Sequence, residues 1–309
     1  MADAERRQRR IKSPGERTRR ALHRKAQASI VDFQGRLNGQ FRIHDKNNTL
    51  TSTYKSRRKG QWPVQPGRVL AVPGGKIRRK SPGEGWKSAM REVTAYNWVP
   101  DFAQGFVKDL RVRWALEETG FAYTERLIDH EQKLQSEHLA RQPFAQVPVY
   151  QDDEVEMFES AAIVMRIAEG SHALMPEDVA VRARVMSWAF AAMNSVEPYV
   201  ANVEITTLFQ SDEPWAPGYL ESATATLKGR LRRLSAWLNG KDYLEAGRFT
   251  AADLLMASVL RELERSSMFD VFPDLLVYVR RCTERPAFQR ALAAQLNAFA
   301  VHEPVELDQ

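Results

Sequence analysis

The sequence predicts a small α/β domain followed by an all-α domain, with a basic leader in front of both. Charge divides the chain: residues 1–90 carry 23 Lys and Arg against 6 Asp and Glu, whereas the remainder carries 22 against 33. Strand and helix patterns alternate from residue 91 to about residue 170, and only helical periodicity follows. An alternating segment and a purely helical one pack as different layer architectures, which predicts two domains.

The leader, residues 1–89, is predicted to be mostly disordered. Its clusters of Arg and Lys alternate with Pro, Gly, Ser and Asn, and such a chain buries too little apolar surface to offset its ordering entropy. A nucleic-acid or acidic-membrane tether and an organellar transit peptide are alternatives. We favour an idle tail or a start assigned too early, with Met90 as the true start. Nucleic-acid binding is disfavoured because the leader has no recognisable binding module.

Composition narrows the function class. The single Cys282 excludes an intramolecular disulfide framework and indicates a reducing, cytoplasmic setting. We interpret it as a buried structural thiol. No apolar run has the length of a membrane span, so no membrane partner is expected. The six histidines lack metal-ligand spacing, so no metal is expected.

The first domain, 91–171, is predicted to run β-α-β-α-β-β-α. Branched and aromatic residues predict the strands, and the helices end at Gly120 and Gly170. The helical placement of Arg111 and Arg113 predicts that both face solvent. The corresponding segments, in order, are "REVTAYNW", "FVKDLRVRWALEETG", "FAYTERLID", "EQKLQSEHLAR", "VPVY", "EVEMF" and "SAAIVMRIAEG".

The second domain, 177–303, is predicted to be a helical bundle. Within it, "FTAADLLMASVL" places Thr250 before a helix and Asp253 three residues later. The Thr250 hydroxyl and the Asp253 carboxylate can each accept from the other residue's backbone N–H, which is a capping box. This motif predicts a structural role, since it determines where a core helix begins.

A proline inside a predicted strand points to a binding edge. A cis bond before Pro148 would leave the backbone of Val147 facing outward, available to an extended peptide. Ser160 is predicted to cap the next helix and to bind a carboxylate, with Glu159 accepting from an ammonium group. Gln146 is near enough to reach a far carboxylate. The alternative interpretation of this segment is purely structural: a helix cap, a dipole partner and a trans proline on an edge strand.

Five segments resemble the glutathione S-transferase family. They are "QVPVY", "FESAAIVMRIAEG", "RVRWALEETGFAYTERLID", "FTAADLLMAS" and "RRCTERPAFQRAL". The resemblance spans about residues 91–298 and implies a thioredoxin-like domain followed by a helical domain. It implies that Val147, before cis-Pro148, pairs with the cysteinyl backbone of glutathione. It further implies that Glu159 and Ser160 hold the γ-glutamyl end, that Gln146 lies near the glycyl end, and that the protein is a homodimer.

The chain departs from the family at the thiol-activating residue. The family places Ser, Cys or Tyr near the first strand or the start of the first helix, where this chain has the segment 106–109, "FVKD". Tyr96 and Gln104 are the candidate catalytic residues that remain, with Trp98 and the backbone near Gly105 as further possibilities.

The resemblance implies transfer of the glutathione thiolate to a small hydrophobic electrophile, a detoxification reaction. A glutathione-dependent peroxidase, isomerase or dehalogenase would use the same site. A non-catalytic ligand-binding or adaptor protein on this fold is the alternative from a different class, and the missing activator favours it.

Overall fold

The computed structural model describes residues 90–303, so the predictions made for the leader, 1–89, lie outside the described residues. The described part belongs to one compact unit. Within 90–303 no helix is long and apolar enough to cross a membrane, and no three His, Cys, Asp or Glu side chains are grouped to hold a metal ion.

A four-stranded mixed sheet forms the first part, in the order β2-β1-β3-β4. β1 and β2 are parallel, whereas β3 pairs antiparallel with both β1 and β4. The parallel pair requires a crossover, which the first helix supplies, and the last two strands need only a tight turn. The strands are β1 Glu92–Tyr96, β2 Thr124–Ile128, β3 Val149–Gln151 and β4 Glu156–Phe158.

The helices of this part complete the predicted β-α-β-α-β-β-α order, and the predicted fold class is confirmed. The crossover helix begins at Asp109 and not at Phe106, because residues 101–106 form successive turns. It ends where Gly120 adopts φ 67°, a left-handed conformation that suits glycine. The helices are α1 Asp109–Thr119, the 3₁₀ turn Gln132–Leu134, α2 Ser136–Arg141 and α3 Ser160–Glu169.

The rest of the described chain is helical. Asp178 caps the first of these helices by accepting from the N–H of Val181 at 2.9 Å. The first two are continuous through a π-helical turn, Ala192–Val196. The elements are α4 Val179–Ala191, α5 Glu197–Phe209, α6 Ala216–Leu238, α7 Ala251–Leu260, the 3₁₀ turn Arg261–Arg265, α8 Met268–Val271, α9 Pro273–Thr283 and α10 Pro286–Val301.

The sheet and the helical part share one hydrophobic core, which includes Trp114 of α1. This side chain is fully buried, and its ring lies 5.5 Å from that of Phe249 and 4.8 Å from that of Phe288. Both partners belong to the helical part. Burial of Trp114 therefore fixes α1 against two elements that follow it by more than a hundred residues.

A buried carboxylate organises the start of α7. Asp253 Oδ2 accepts from the backbone N–H and the hydroxyl of Thr250, at 2.9 and 3.0 Å. Oδ1 accepts from the N–H of Leu244 and the hydroxyl of Tyr278, at 2.8 and 3.0 Å. The capping box between Thr250 and Asp253 is present. The same carboxylate thus also joins α7 to the preceding loop and to α9.

The prediction that Arg113 faces solvent is wrong. Arg113 is fully buried, and its Nε donates to Asp109 Oδ2 at 2.7 Å, while Nη1 pairs with Glu125. Asp109 Oδ1 accepts in turn from Gln295 Nε2 at 2.7 Å. The spacing of Asp109 and Arg113 is that of a surface helix pair, but α10 covers this face of α1 and buries it. Burial raises the pKa of Asp109 even though Arg113 and Gln295 favour its ionised form.

Candidate functional site

Three residues singled out from the sequence lie near one end of the sheet, on the neighbouring segments of β1, β3 and β4. The registers of β3 with β1 and with β4 both pass through Val149. Tyr96, Val147 and Ser160 each lie two residues beyond these paired positions, on three neighbouring segments, and we call these three residues the row. The end of β1, the segment before β3 and the start of α3 therefore converge at one edge.

Val147 presents an unpaired backbone at the centre of this row. Its peptide bond to Pro148 is cis. Within residues 90–303 the N–H and C=O of Val147 make no hydrogen bond. Its side chain is buried, so the residue is anchored while its polar backbone groups remain free. A free donor and acceptor on one extended residue can pair with an extended peptide.

Two polar side chains that sequence reasoning missed hold the loop before Val147. His138 Nε2 donates to the carbonyl of Gln146 at 2.8 Å. Gln142 Oε1 accepts from the N–H of Phe144 at 2.6 Å and from that of Gln146 at 3.3 Å. These bonds fix the backbone of Gln146, and its exposed side chain makes no bond within the described part.

The start of α3 differs from the prediction. Glu159, not Ser160, occupies the N-cap position, and no side chain caps this helix. Ser160 is its first residue. Glu159 has φ 71°, a conformation that costs a non-glycine residue on the order of 1 kcal/mol and tends to occur at functional sites. The earliest backbone bond of the helix runs from the N–H of Ile163 to Glu159 O, so the N–H groups of residues 160–162 remain available to an anion.

The Ser160 hydroxyl contacts a buried guanidinium instead of capping the helix. Arg111 Nη1 donates to Ser160 Oγ at 3.3 Å, and Arg111 is only 4% exposed. The prediction that Arg111 faces solvent is therefore also wrong. A guanidinium has no acceptor, so the hydroxyl must be the acceptor in this bond. The hydroxyl hydrogen of Ser160 is consequently left for another acceptor.

Arg111 belongs to a charge cluster that links α1 to the helical part. Its Nη2 lies 2.7 Å from Glu197 Oε1, at the first residue of α5. Lys108 Nζ bridges Glu197 at 2.6 Å and Glu262 at 2.5 Å. Burial on its own would raise the pKa of Glu197, but the charges of Arg111 and Lys108 outweigh it and lower that pKa to about 2. Glu197 therefore stays ionised at neutral pH.

Tyr96 ends β1 in the same row. Its ring stacks on that of His130 with centroids 4.6 Å apart, and its hydroxyl makes no hydrogen bond within residues 90–303. Burial, followed by the nearby charge of Asp109, raises the pKa of Tyr96 to about 12. The phenol is therefore protonated at neutral pH and can donate a hydrogen bond to an anion.

Gln104 spans its own loop. Its Nε2 donates to Val99 O at 3.2 Å and to Asp101 Oδ1 at 3.4 Å. Both bonds would have to break before this amide could donate to a ligand. Among the other residues considered, the buried Trp98 Nε1 has no partner within the described part.

An aromatic contact joins the loop before α1 to the end of α5. The rings of Phe102 and Phe209 meet edge to face with centroids 5.8 Å apart, and Phe209 is 40% exposed. An open groove of about 630 Å³ lies elsewhere, between the end of α6 and α9, and is lined by Arg232, Lys241 and Arg281 among others. The groove contains none of the row residues.

Comparison with known proteins gives one family. The model of the glutathione S-transferase N-terminal domain matches residues 93–169. Glutathione S-transferase 1 of Zea mays is 29% identical over 196 residues, covering 59% of this chain and 90% of the maize protein. An uncharacterized GST-like protein of Streptococcus mutans is 27% identical over 181 residues, and the match covers 53% of this chain and 66% of that relative.

Solved structures show the same fold. A glutathione transferase family member from Pseudomonas fluorescens pf-5, with two glutathione bound, gives a TM-score of 0.58 at 22% identity, covering 68% of this chain and 95% of its own. Ure2p in complex with glutathione gives a TM-score of 0.57 at 20% identity, and the match covers 66% of this chain and 94% of the Ure2p chain. At these identities the likeness establishes the fold alone.

Proposed function

Because the chain belongs to the glutathione S-transferase family, with that family's N-terminal domain at residues 93–169, we propose that it is a glutathione-dependent transferase. The reaction is attack of the glutathione thiolate on a small hydrophobic electrophile. The row Tyr96, Val147 and Ser160 carries this proposal, because it offers a hydroxyl donor, a free backbone pair and a carboxylate site at one end of the sheet.

Glutathione lies along this row as an extended peptide. Its cysteinyl backbone pairs with the N–H and C=O of Val147. The γ-glutamyl carboxylate accepts from the Ser160 hydroxyl and from the first N–H groups of α3, and the exposed Glu159 accepts from the γ-glutamyl ammonium. The exposed amide of Gln146 reaches the glycyl carboxylate.

The chemistry requires a thiolate near the end of β1. The thiol proton leaves to solvent, and the protonated Tyr96 hydroxyl donates to the sulfur anion, which favours ionisation. The sulfur then forms a bond to the electrophilic carbon, and the leaving group departs with its electron pair. The exposed face of Phe209, against Phe102, offers the apolar co-substrate a surface.

We extend the proposal to domain organisation and assembly. The glutathione-binding domain spans 91–171 and the helical domain 177–303, and the protein acts as a cytoplasmic homodimer without a metal. Within this proposal the second copy covers Phe144, which is 65% exposed and packs edge to face on Phe158.

The first test is glutathione binding by calorimetry with Ser160→Ala. Loss of a hydroxyl that binds a carboxylate is expected to weaken glutathione about tenfold or more. Ser187→Ala is the matched control, because the exposed Ser187 hydroxyl only donates to Ala183 O in α4. Absence of binding by the folded, unaltered protein, or equal affinity for the two variants, would overturn the glutathione site.

The second test concerns Tyr96. Tyr96→Phe is expected to raise the pKa of the bound thiol, followed by thiolate absorbance against pH, and to lower kcat/KM with an aromatic halide by about tenfold or more. Tyr219→Phe, at a tyrosine that is 41% exposed on α6, should change neither quantity. An unchanged thiol pKa in Tyr96→Phe would remove Tyr96 from the mechanism and leave Gln104 and Trp98 as the remaining side-chain candidates.

A second candidate function is non-catalytic glutathione binding. Phe106 stands in the segment where the activator is expected, and its ring is covered by the guanidinium of Arg265 at 3.9 Å. Binding that depends on Ser160, with no shift in the thiol pKa and no turnover of any electrophile, would favour this function. Peroxidase, isomerase and dehalogenase activities would each keep the shifted thiol pKa and differ only in the electrophile.

A further inference from the structure

The charge cluster behind Ser160 contains one contact that charge neutralisation alone does not require, the bond from Arg111 to Ser160. Arg111 is almost fully buried, yet it uses one nitrogen on Ser160 and directs both nitrogens at Glu197, at 2.7 and 3.5 Å. A lone Glu197 carboxylate would satisfy the charge of Arg111 without any contact to the serine.

Two residues of the helical part, Met193 and Glu197, contact the guanidinium of Arg111. The π-helical turn Ala192–Val196 lies directly before Glu197. It brings Met193 Sδ to 3.6 Å from Arg111 Nη1, and Glu197 follows in the next turn. Single π-helical turns occur frequently at functional sites. The π turn is thus a second observation that points to the same side chain.

We propose that Arg111, held by Glu197, is a positioning residue that makes the Ser160 site selective for a ligand carrying an α-carboxylate. This inference rests on the proposed function, and it extends the site to residues outside the thioredoxin-like part.

The physical basis is the direction of one hydrogen bond. The N–H of Arg111 donates to Ser160 Oγ, which turns the Ser160 hydrogen away from α1 and toward the free N–H groups at the start of α3. The buried positive charge also polarises that hydroxyl as a donor. Glu197 keeps the guanidinium in place. Lys108 pairs with both Glu197 and Glu262, so the two carboxylates are matched by two cations, Arg111 and Lys108.

The experiment compares two ligands on the full chain: glutathione and 4-aminobutyryl-cysteinylglycine, which lacks only the α-carboxylate of the γ-glutamyl group. Affinities are measured by calorimetry. Arg111→Lys keeps the charge but loses the fork that reaches Ser160 and Glu197 together. We expect it to weaken glutathione about tenfold while leaving the analogue within about twofold. Glu197 does not contact the ligand in this proposal. Glu197→Gln should likewise lower the ratio of the affinity for glutathione to the affinity for the analogue.

The matched control is Arg113→Lys. Arg113 is a buried arginine on the same helix, but it faces Asp109 and Glu125, so its replacement should leave the ratio of the two affinities unchanged. Equal losses for both ligands, or none, in Arg111→Lys and Glu197→Gln would overturn the inference and leave the glutathione site intact. If the unaltered protein binds neither ligand, the proposed function fails and this inference fails with it. Should Arg111→Lys not fold, Glu197→Gln decides.

Discussion

Replacing Asp253 by alanine is expected to lower the free energy of unfolding by about 4 kcal/mol, because buried donors then lose their acceptor. The carboxylate accepts from Thr250 twice, from Leu244 and from Tyr278, and the residue is fully buried. Tyr278 is only 2% exposed, so water cannot replace the acceptor that its hydroxyl loses. Urea unfolding of the full chain, followed by circular dichroism, measures the change.

Two further variants separate the cap from the wider network around Asp253. Thr250→Ala removes only the cap and should cost about 1 kcal/mol. Asp253→Asn retains the shape but offers fewer acceptor sites, so it should fall between the two. If Asp253→Ala costs no more than Thr250→Ala, the bonds to Leu244 and Tyr278 contribute nothing and the carboxylate is only a cap.

Replacing Arg113 by methionine is expected to cost about 3–5 kcal/mol at pH 7, because it leaves Asp109 as a buried charge without its partner. Burial already raises the pKa of Asp109, and loss of Arg113 raises it further. A carboxyl whose pKa is higher in the folded than in the unfolded state destabilises the fold as pH rises above its unfolded value of 3.8. The cost should therefore be smaller near pH 4 than at pH 7.

The double variant Asp109→Asn with Arg113→Met provides the control for this pair. Removing both charges should restore part of the lost stability and abolish the pH dependence of the difference. A cost that is the same at pH 4 and pH 7 in Arg113→Met would show that lost packing of the arginine stem, and not the unpaired charge, is responsible.

The fold followed from the sequence because its signals are local. Alternating residues, helical periodicity and glycines such as Gly120 report the conformation of their own segments. The same holds for Thr250 and Asp253, which lie three residues apart at a helix start. Four strands and their intervening helices then leave few possible topologies.

The supporting residues of the site were not predictable, because their roles depend on contacts between distant segments. Arg111 meets Ser160 and Glu197, which are 49 and 86 residues away in sequence. On helical periodicity alone it is indistinguishable from a solvent-facing arginine, and Arg113 is misplaced for the same reason. The cap at Ser160 was mispredicted because Glu159 adopts a positive φ, which a glutamate only rarely does.

The π-helical turn Ala192–Val196 makes the alignment of the two parts depend on chain length in one segment. Each residue of an α-helix turns the chain by about 100°, so one residue fewer in this segment would rotate all of α5 relative to α4 by that amount. Glu197 would then face away from Arg111, while the apolar residues of α4 kept their places. A gap or insertion here in a related sequence therefore marks a different site behind Ser160, even where every named side chain is retained.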